Sequence, residues 1–201
     1  MNLEAAFWVA LSVTAPWAWP RLRRRLGPWV DPFHPLIPWA HAILPAYVAL
    51  VRGAVLGRDL GLYGPDVGQF AAGLLACAAG LGVAFAARRW LSPTAGSPLT
   101  ALQEEPRWAL YRAAGILWLG GLIPGVGLGL GLAALEMGLA AGWWKAEARS
   151  RPTSWLPLLR AGFSAALFFV TRSFWLTAAT QAGVLALLSG AGGKKVETRG
   201  A

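Results

Sequence analysis

The chain has 201 residues, of which 56% are hydrophobic and only 13% charged, and its mean hydropathy is +0.50. So few polar groups cannot coat a soluble globule of this size, which excludes an ordinary water-soluble domain. The net charge of +9 and a pI near 11 would suit nucleic acid. However, no basic stripe with interleaved aromatics lies outside the apolar blocks, so no nucleic-acid partner is expected, and the charge reads as the cytoplasmic bias of membrane loops.

The first apolar block runs from Leu3 to Trp19. Its start, Met1-Asn2-Leu3-Glu4, lacks a basic leader, and the arginines follow the block instead of preceding it, which predicts a retained helix and not a cleaved signal. Beyond it stand Asp31, His34 and His41. Two histidines and an aspartate invite a metal reading, but the spacing is no ligand signature and prolines interrupt it, so interfacial hydrogen bonding is expected. The single Cys77 offers neither a disulfide nor a metal site, and no cofactor is expected.

Further blocks follow at Leu36 to Leu56, Val67 to Ala87, Trp108 to Ile123, Val126 to Trp144, Leu156 to Val170 and Ser173 to Leu188, making seven candidate spans. Trp108 to Trp144 would measure ~55 Å as one helix at ~1.5 Å per residue, so a hairpin turning at Pro124-Gly125 is predicted. Glycines crowd that hairpin, at Gly115, Gly120, Gly121, Gly125, Gly127, Gly129 and Gly131, and small residues let membrane helices approach closely. Trp17, Trp19, Trp29, Trp39, Trp90, Trp108, Trp143, Trp144 and Trp155 stand at block edges and read as interfacial anchors.

Orientation follows from the basic loops. Arg21, Arg23, Arg24 and Arg25, then Arg88, Arg89 and Arg107, then Lys145, Arg149, Arg151 and Arg160, and finally Lys194, Lys195 and Arg199 all fall on one side of a seven-span arrangement. The expected fold is therefore an all-α, polytopic transmembrane helical bundle with the N-terminus outside and the C-terminus cytoplasmic. Residues 1–190 form one domain in the cell membrane, with the lipid bilayer as partner, and 191–201 form a disordered tail.

Polar groups inside the spans need a partner or a purpose, because a charge near the bilayer centre costs at least ~2.5–3.5 kcal/mol. Arg112, Glu136 and Gln181 lie at similar depths of roughly 9, 13 and 12 Å by helical rise, which predicts one shared polar pocket. In the bland reading Arg112 and Glu136 form an ion pair across the hairpin and Gln181 completes its hydrogen bonds. In the functional reading Glu136 or its neighbours activate water. Just before Pro106, Glu104 and Glu105 suit a helix N-terminus, though Glu105 with Arg112 at i+7 would also suit a tuned general base.

The order of these residues resembles the CAAX-protease and bacteriocin-processing family of glutamic-type intramembrane endopeptidases. Glu104-Glu105 matches the carboxylate pair of the family's Glu-Glu-x-x-x-Arg motif. Thr171 to Gln181 is similar to the approach to its last motif, His-x-x-x-Asn, and Arg58-Asp59-Leu60-Gly61-Leu62 to a leader before the core helices. The resemblance covers about residues 58–188. Ala109 stands where the motif has arginine, with Arg112 one turn later, Glu136 replaces the histidine of Phe-x-x-x-His, and Gln181 and Leu185 replace the final His and Asn.

The resemblance implies a helical membrane core, with Glu104, Glu105, Arg112, Glu136 and Gln181 as candidate catalytic residues. The missing histidines imply weak or lost peptidase activity, with a membrane-associated peptide or protein as partner. Two alternatives stay open: a non-catalytic membrane scaffold or partner-binding subunit, and a small transporter or proton conduit.

Overall fold

The structure is a computed structural model that describes residues 2–33, 35–63, 66–87, 97–141 and 156–189. His34, the residues Trp90, Trp143, Trp144 and Trp155, the basic residues Arg88, Arg89, Lys145, Arg149, Arg151, Lys194, Lys195 and Arg199, and the tail 191–201 lie outside the described residues. The described chain is all-α: α1 (Leu3–Leu26), a 3-10 segment (Gly27–Phe33), α2 (Ile37–Val51), the single turn α3 (Gly57–Leu60), α4 (Val67–Ala87), α5 (Pro98–Leu119), α6 (Leu122–Ala141), α7 (Leu156–Thr171) and α8 (Phe174–Ser189).

Local chemistry sets the helix ends. Asn2 caps α1 by accepting from the Glu4 and Ala5 amides at 3.0 and 3.3 Å, and Gly27, at φ 63°, stops it. Helix α1 therefore runs on through Arg21 to Arg25, past the end of its apolar block at Trp19. Helix α5 begins ten residues before the apolar block does, at a Ser97–Thr100 capping box followed by Pro98. Glu104, Glu105 and Pro106 consequently lie inside the helix and do not form its N-terminal turn. The hairpin turn is also displaced: it falls at Gly120-Gly121, where Gly120 adopts the left-handed conformation (φ 67°) and donates to Ile116 O at 2.9 Å. Pro124 instead occupies the first turn of α6, where an amide has no helical partner to lose.

Helices α5 and α6 form the centre. A Cβ built on Gly129 would meet the Arg112 backbone at 2.8 Å, and one on Gly125 would meet Ile116 Cα at 2.5 Å, so this face of α6 admits only glycine. Helix α1 packs on α2 and α6, α2 on α5, and α4 on α7 and α8. Trp108, expected at an interface, is 3% exposed within the core cluster, because α5 reaches well beyond it and carries it into the bundle.

The elements share two ends. At one, Glu4 pairs with Arg52, Arg58 with Asp59 at 3.5 Å, and a cavity of about 430 Å³ brings Arg58, Tyr63, Gly120 and Arg172 together. Phe174 N donates to Gly61 O at 2.9 Å there, pinning the α7–α8 turn to α3. At the other end, Leu22 of α1, Ile37 of α2 and Thr100 of α5 line a common cavity, beside the arginines that close α1.

Among the described residues two helices are long and apolar enough to cross a membrane, Val67–Ala86 and Leu122–Ala140, with mean hydropathies of 1.8 and 1.7. Only 17% and 28% of their crossing windows are buried, whereas the core helix of a soluble protein would be mostly enclosed. Leu75, Val83 and Ile123 point outward with 69–73% exposure.

Candidate functional site

Three polar clusters, organised by α5, hold the sequence-predicted residues. The innermost surrounds Glu105, which is 0% exposed. Arg112 pairs with its Oε1. On Oε2, Ser164 Oγ and Gln181 Nε2 each donate at 2.7 Å. Ser164 Oγ in turn accepts from Arg112 Nη1 at 2.8 Å, and the Arg112 guanidinium lies 4.4 Å from the Phe168 ring centroid. Four side chains from α5, α7 and α8 thus form a charge-balanced unit in which both oxygens of Glu105 are satisfied, while Arg112 Nε and Gln181 Oε1 are buried without a partner among the described residues.

The second cluster belongs to Glu136. It pairs with Arg107, not with Arg112 as its depth suggested. Tyr111 Oη lies 3.0 Å from both Glu136 Oε2 and Ser12 Oγ. His41 Nε2 is 2.8 Å from the Ser12 carbonyl, to which it must donate, leaving Nδ1 to face Arg107 Nη1 at 3.4 Å. His41 is thus half-buried and hydrogen-bonded between α1 and α5 while lining the cavity at this end of the bundle. The third cluster is the pair of Glu104 with Arg160.

The single pocket expected from shared depth is therefore divided. Glu105, Arg112 and Gln181 meet; Glu104 and Arg107 share another face of α5, three residues apart and lining one cavity, where Arg107 holds Glu136 and Arg160 holds Glu104. Arg107 and Arg160, read from the sequence as loop cations, instead lie within α5 and α7 and are paired; Tyr111, Ser12 and Ser164 complete the networks without having been singled out. Arg160 and Ser164 carried a legible signal, a cation and a hydroxyl four residues apart on one face of an apolar helix, whereas Ser12 in an apolar block had none.

Glu104 is the member with access to open space. A cavity of about 490 Å³ between α1, α2 and α5 has apolar walls from Ala15, Ala18, Trp19, Leu22, Ile37 and Pro38. Its α5 side presents Gln103, Glu104 and Arg107, with His41 beside them. This volume lies within the ~300–1,000 Å³ of small-molecule sites. No cluster of three or more His, Cys, Asp or Glu suited to a metal occurs among the described residues.

No family model, curated protein or solved structure matches the chain.

Proposed function

We propose that the chain is a seven-span protein of the cell membrane, N-terminus outside, that resembles the glutamic-type intramembrane endopeptidases but serves as a non-catalytic, partner-binding membrane subunit. The bilayer half of this reading is supported by the outward-facing apolar surface of α4 and α6. Helices α2, α7 and α8 have 15, 16 and 16 residues, about 22–24 Å of helical rise against a ~30 Å hydrocarbon core. They span if flanking residues or a locally thinner bilayer make up the difference.

The observation that carries the non-catalytic half is the closure of Glu105. A general base needs a position beside it for the water it activates, and a developing oxyanion needs donors aimed at it. Glu105 instead has both oxygens engaged by Arg112, Ser164 and Gln181 and no exposed surface. Gln181 spends its amide on that carboxylate, so it is not aimed at a substrate.

One observation favours a second reading: Glu104, beside His41, lines the cavity and would be the base if hydrolysis occurs. Purified protein incubated with membrane-tethered fluorogenic peptides tests both. Cleavage no greater than that of a Glu104→Ala, Glu105→Ala double variant is the expected result. Cleavage lost in Glu104→Ala but kept in Glu105→Gln would move the reading to a hydrolase acting from the cavity, and cleavage lost in Glu105→Gln would overturn the structural role given to Glu105.

A further inference from the structure

We propose that the cavity between α1, α2 and α5 holds one acyl chain of an acidic phospholipid, whose phosphate is bound by the arginines that close α1. The α1 and α2 walls are mostly apolar over two to three helical turns, from Leu11 to Leu22 and at Ile37 and Pro38, broken by Thr14, whose hydroxyl donates to Ala10 O at 2.7 Å, and by His41, engaged by Ser12 O at 2.8 Å. On the α5 side the charged ends are already engaged, Glu104 by Arg160 and Arg107 by Glu136. Their side chains are only 14% and 15% exposed, so what they offer a ligand is mostly aliphatic stem. The space suits a hydrocarbon chain.

The head group follows from the rim. Leu22, on the cavity wall, lies within the run Arg21 to Arg25. Arg21 is held in place by stacking at 3.9 Å on Trp17 and by donating from Nη1 to Trp17 O at 2.8 Å, and Arg24 donates from Nε to Pro20 O at 3.3 Å. Each of these bonds uses one of five guanidinium donors. No ion pair among the described residues engages Arg21, Arg24 or Arg25, and all three are exposed. Arg25, three residues beyond Leu22, continues the cavity face of α1 by one turn and Arg21 flanks it, and positive charge there is complementary to an anionic head group. The proposal rests on the membrane reading above but not on the loss of hydrolysis.

The test uses the full chain, purified in neutral detergent and stripped of lipid, and titrated with phosphatidylglycerol or phosphatidylcholine carrying brominated acyl chains. Saturable quenching assigned to Trp19 by its loss in Trp19→Phe is expected, with phosphatidylglycerol at least about fivefold tighter. Arg21→Gln, Arg24→Gln and Arg25→Gln together should bring phosphatidylglycerol to the phosphatidylcholine value. Ala15→Phe and Ala18→Phe, made separately and checked for helical circular dichroism, should each abolish the saturable phase. Equal affinity for the two lipids in the unmodified protein would overturn the proposal, as would quenching that survives both fillers. Displacement by oleate at the affinity of phosphatidylglycerol would overturn it in favour of a free carboxylate amphiphile. A protein that stays monodisperse without detergent would defeat the membrane reading itself.

Discussion

Gln181 donates its side-chain amide to Glu105 across 76 residues of sequence, at 2.7 Å, on the carboxylate oxygen that Ser164 also serves. This bond ties α8 to α5 inside a cluster whose charges, Glu105 and Arg112, are 0% and 2% exposed. Its members should therefore differ sharply in what their removal does.

Arg112→Met should destabilise by ~3–5 kcal/mol, since it orphans a buried carboxylate, and Glu105→Leu should cost a similar amount. The double variant Arg112→Met, Glu105→Leu should cost far less than their sum. Gln181→Leu should cost only ~1 kcal/mol, because Ser164 and Arg112 still serve Glu105. Thermal unfolding in detergent, arranged as a double-mutant cycle, measures all four, and additive losses for Arg112 and Glu105 would contradict the pairing.

The exchange of partners makes a second prediction. Arg107 and Glu136 should be coupled in such a cycle, and more strongly than Arg112 and Glu136. Tyr111→Phe should by itself destabilise by ~1–2 kcal/mol, since it removes a buried donor to a carboxylate. Equal coupling of Glu136 to both arginines would restore the simpler ion pair suggested by depth.

The reason that depth misassigned the pairs is rotational. Arg107 and Arg112 are five residues apart, which at ~100° per residue puts them ~140° apart around α5, so one faces α1 and α6 and the other faces α7 and α8. Glu104 and Glu105, ~100° apart, diverge in the same way. Hydropathy gives position along the membrane normal but not azimuth, and so it found the polar residues without dividing them into clusters. The helices were legible because their apolar blocks are long. Their ends were not, because Glu and Arg terminate a hydropathy block while being good helix formers: α1 continues through Arg21 to Arg25, and α5 already contains Glu104 and Glu105. The glycines of the hairpin gave a correct general expectation of close packing, but spacing alone did not separate the ones that touch from the ones that do not.

That separation can be measured. Gly129→Ala should lose ~1–3 kcal/mol, since the new methyl would press on the backbone of Arg112, which cannot give way. Gly131, two residues on, has nothing within 4 Å of its added carbon, so Gly131→Ala should be neutral or stabilising by up to ~1 kcal/mol through reduced backbone entropy in the unfolded state. A loss of similar size at both positions would mean that the outward face of α6 is also packed.

The last prediction concerns the two ends of the bundle, on which the whole membrane reading turns. Tyr63, 69% exposed, lies beside Arg58 at the end carrying Gly120 and Arg172, and Leu26, 44% exposed, follows the arginines that close α1. If the positive-inside rule orients the chain, Arg21 to Arg25 stay in the cytoplasm and Tyr63 faces outward. In a Cys77→Ala background, which removes the chain's only thiol, Tyr63→Cys should react in intact cells with a maleimide that cannot cross the membrane. Leu26→Cys should react only after permeabilisation. Helix α2 (Ile37–Val51) lies between these positions, so an even number of crossings there, zero included, would place Leu26 and Tyr63 on one side and label them together. That outcome would remove the seven-span count and, with it, the cytoplasmic placement of the cavity mouth. The reverse pattern, with Leu26→Cys labelled outside and Tyr63→Cys inside, would keep the span count but overturn the orientation.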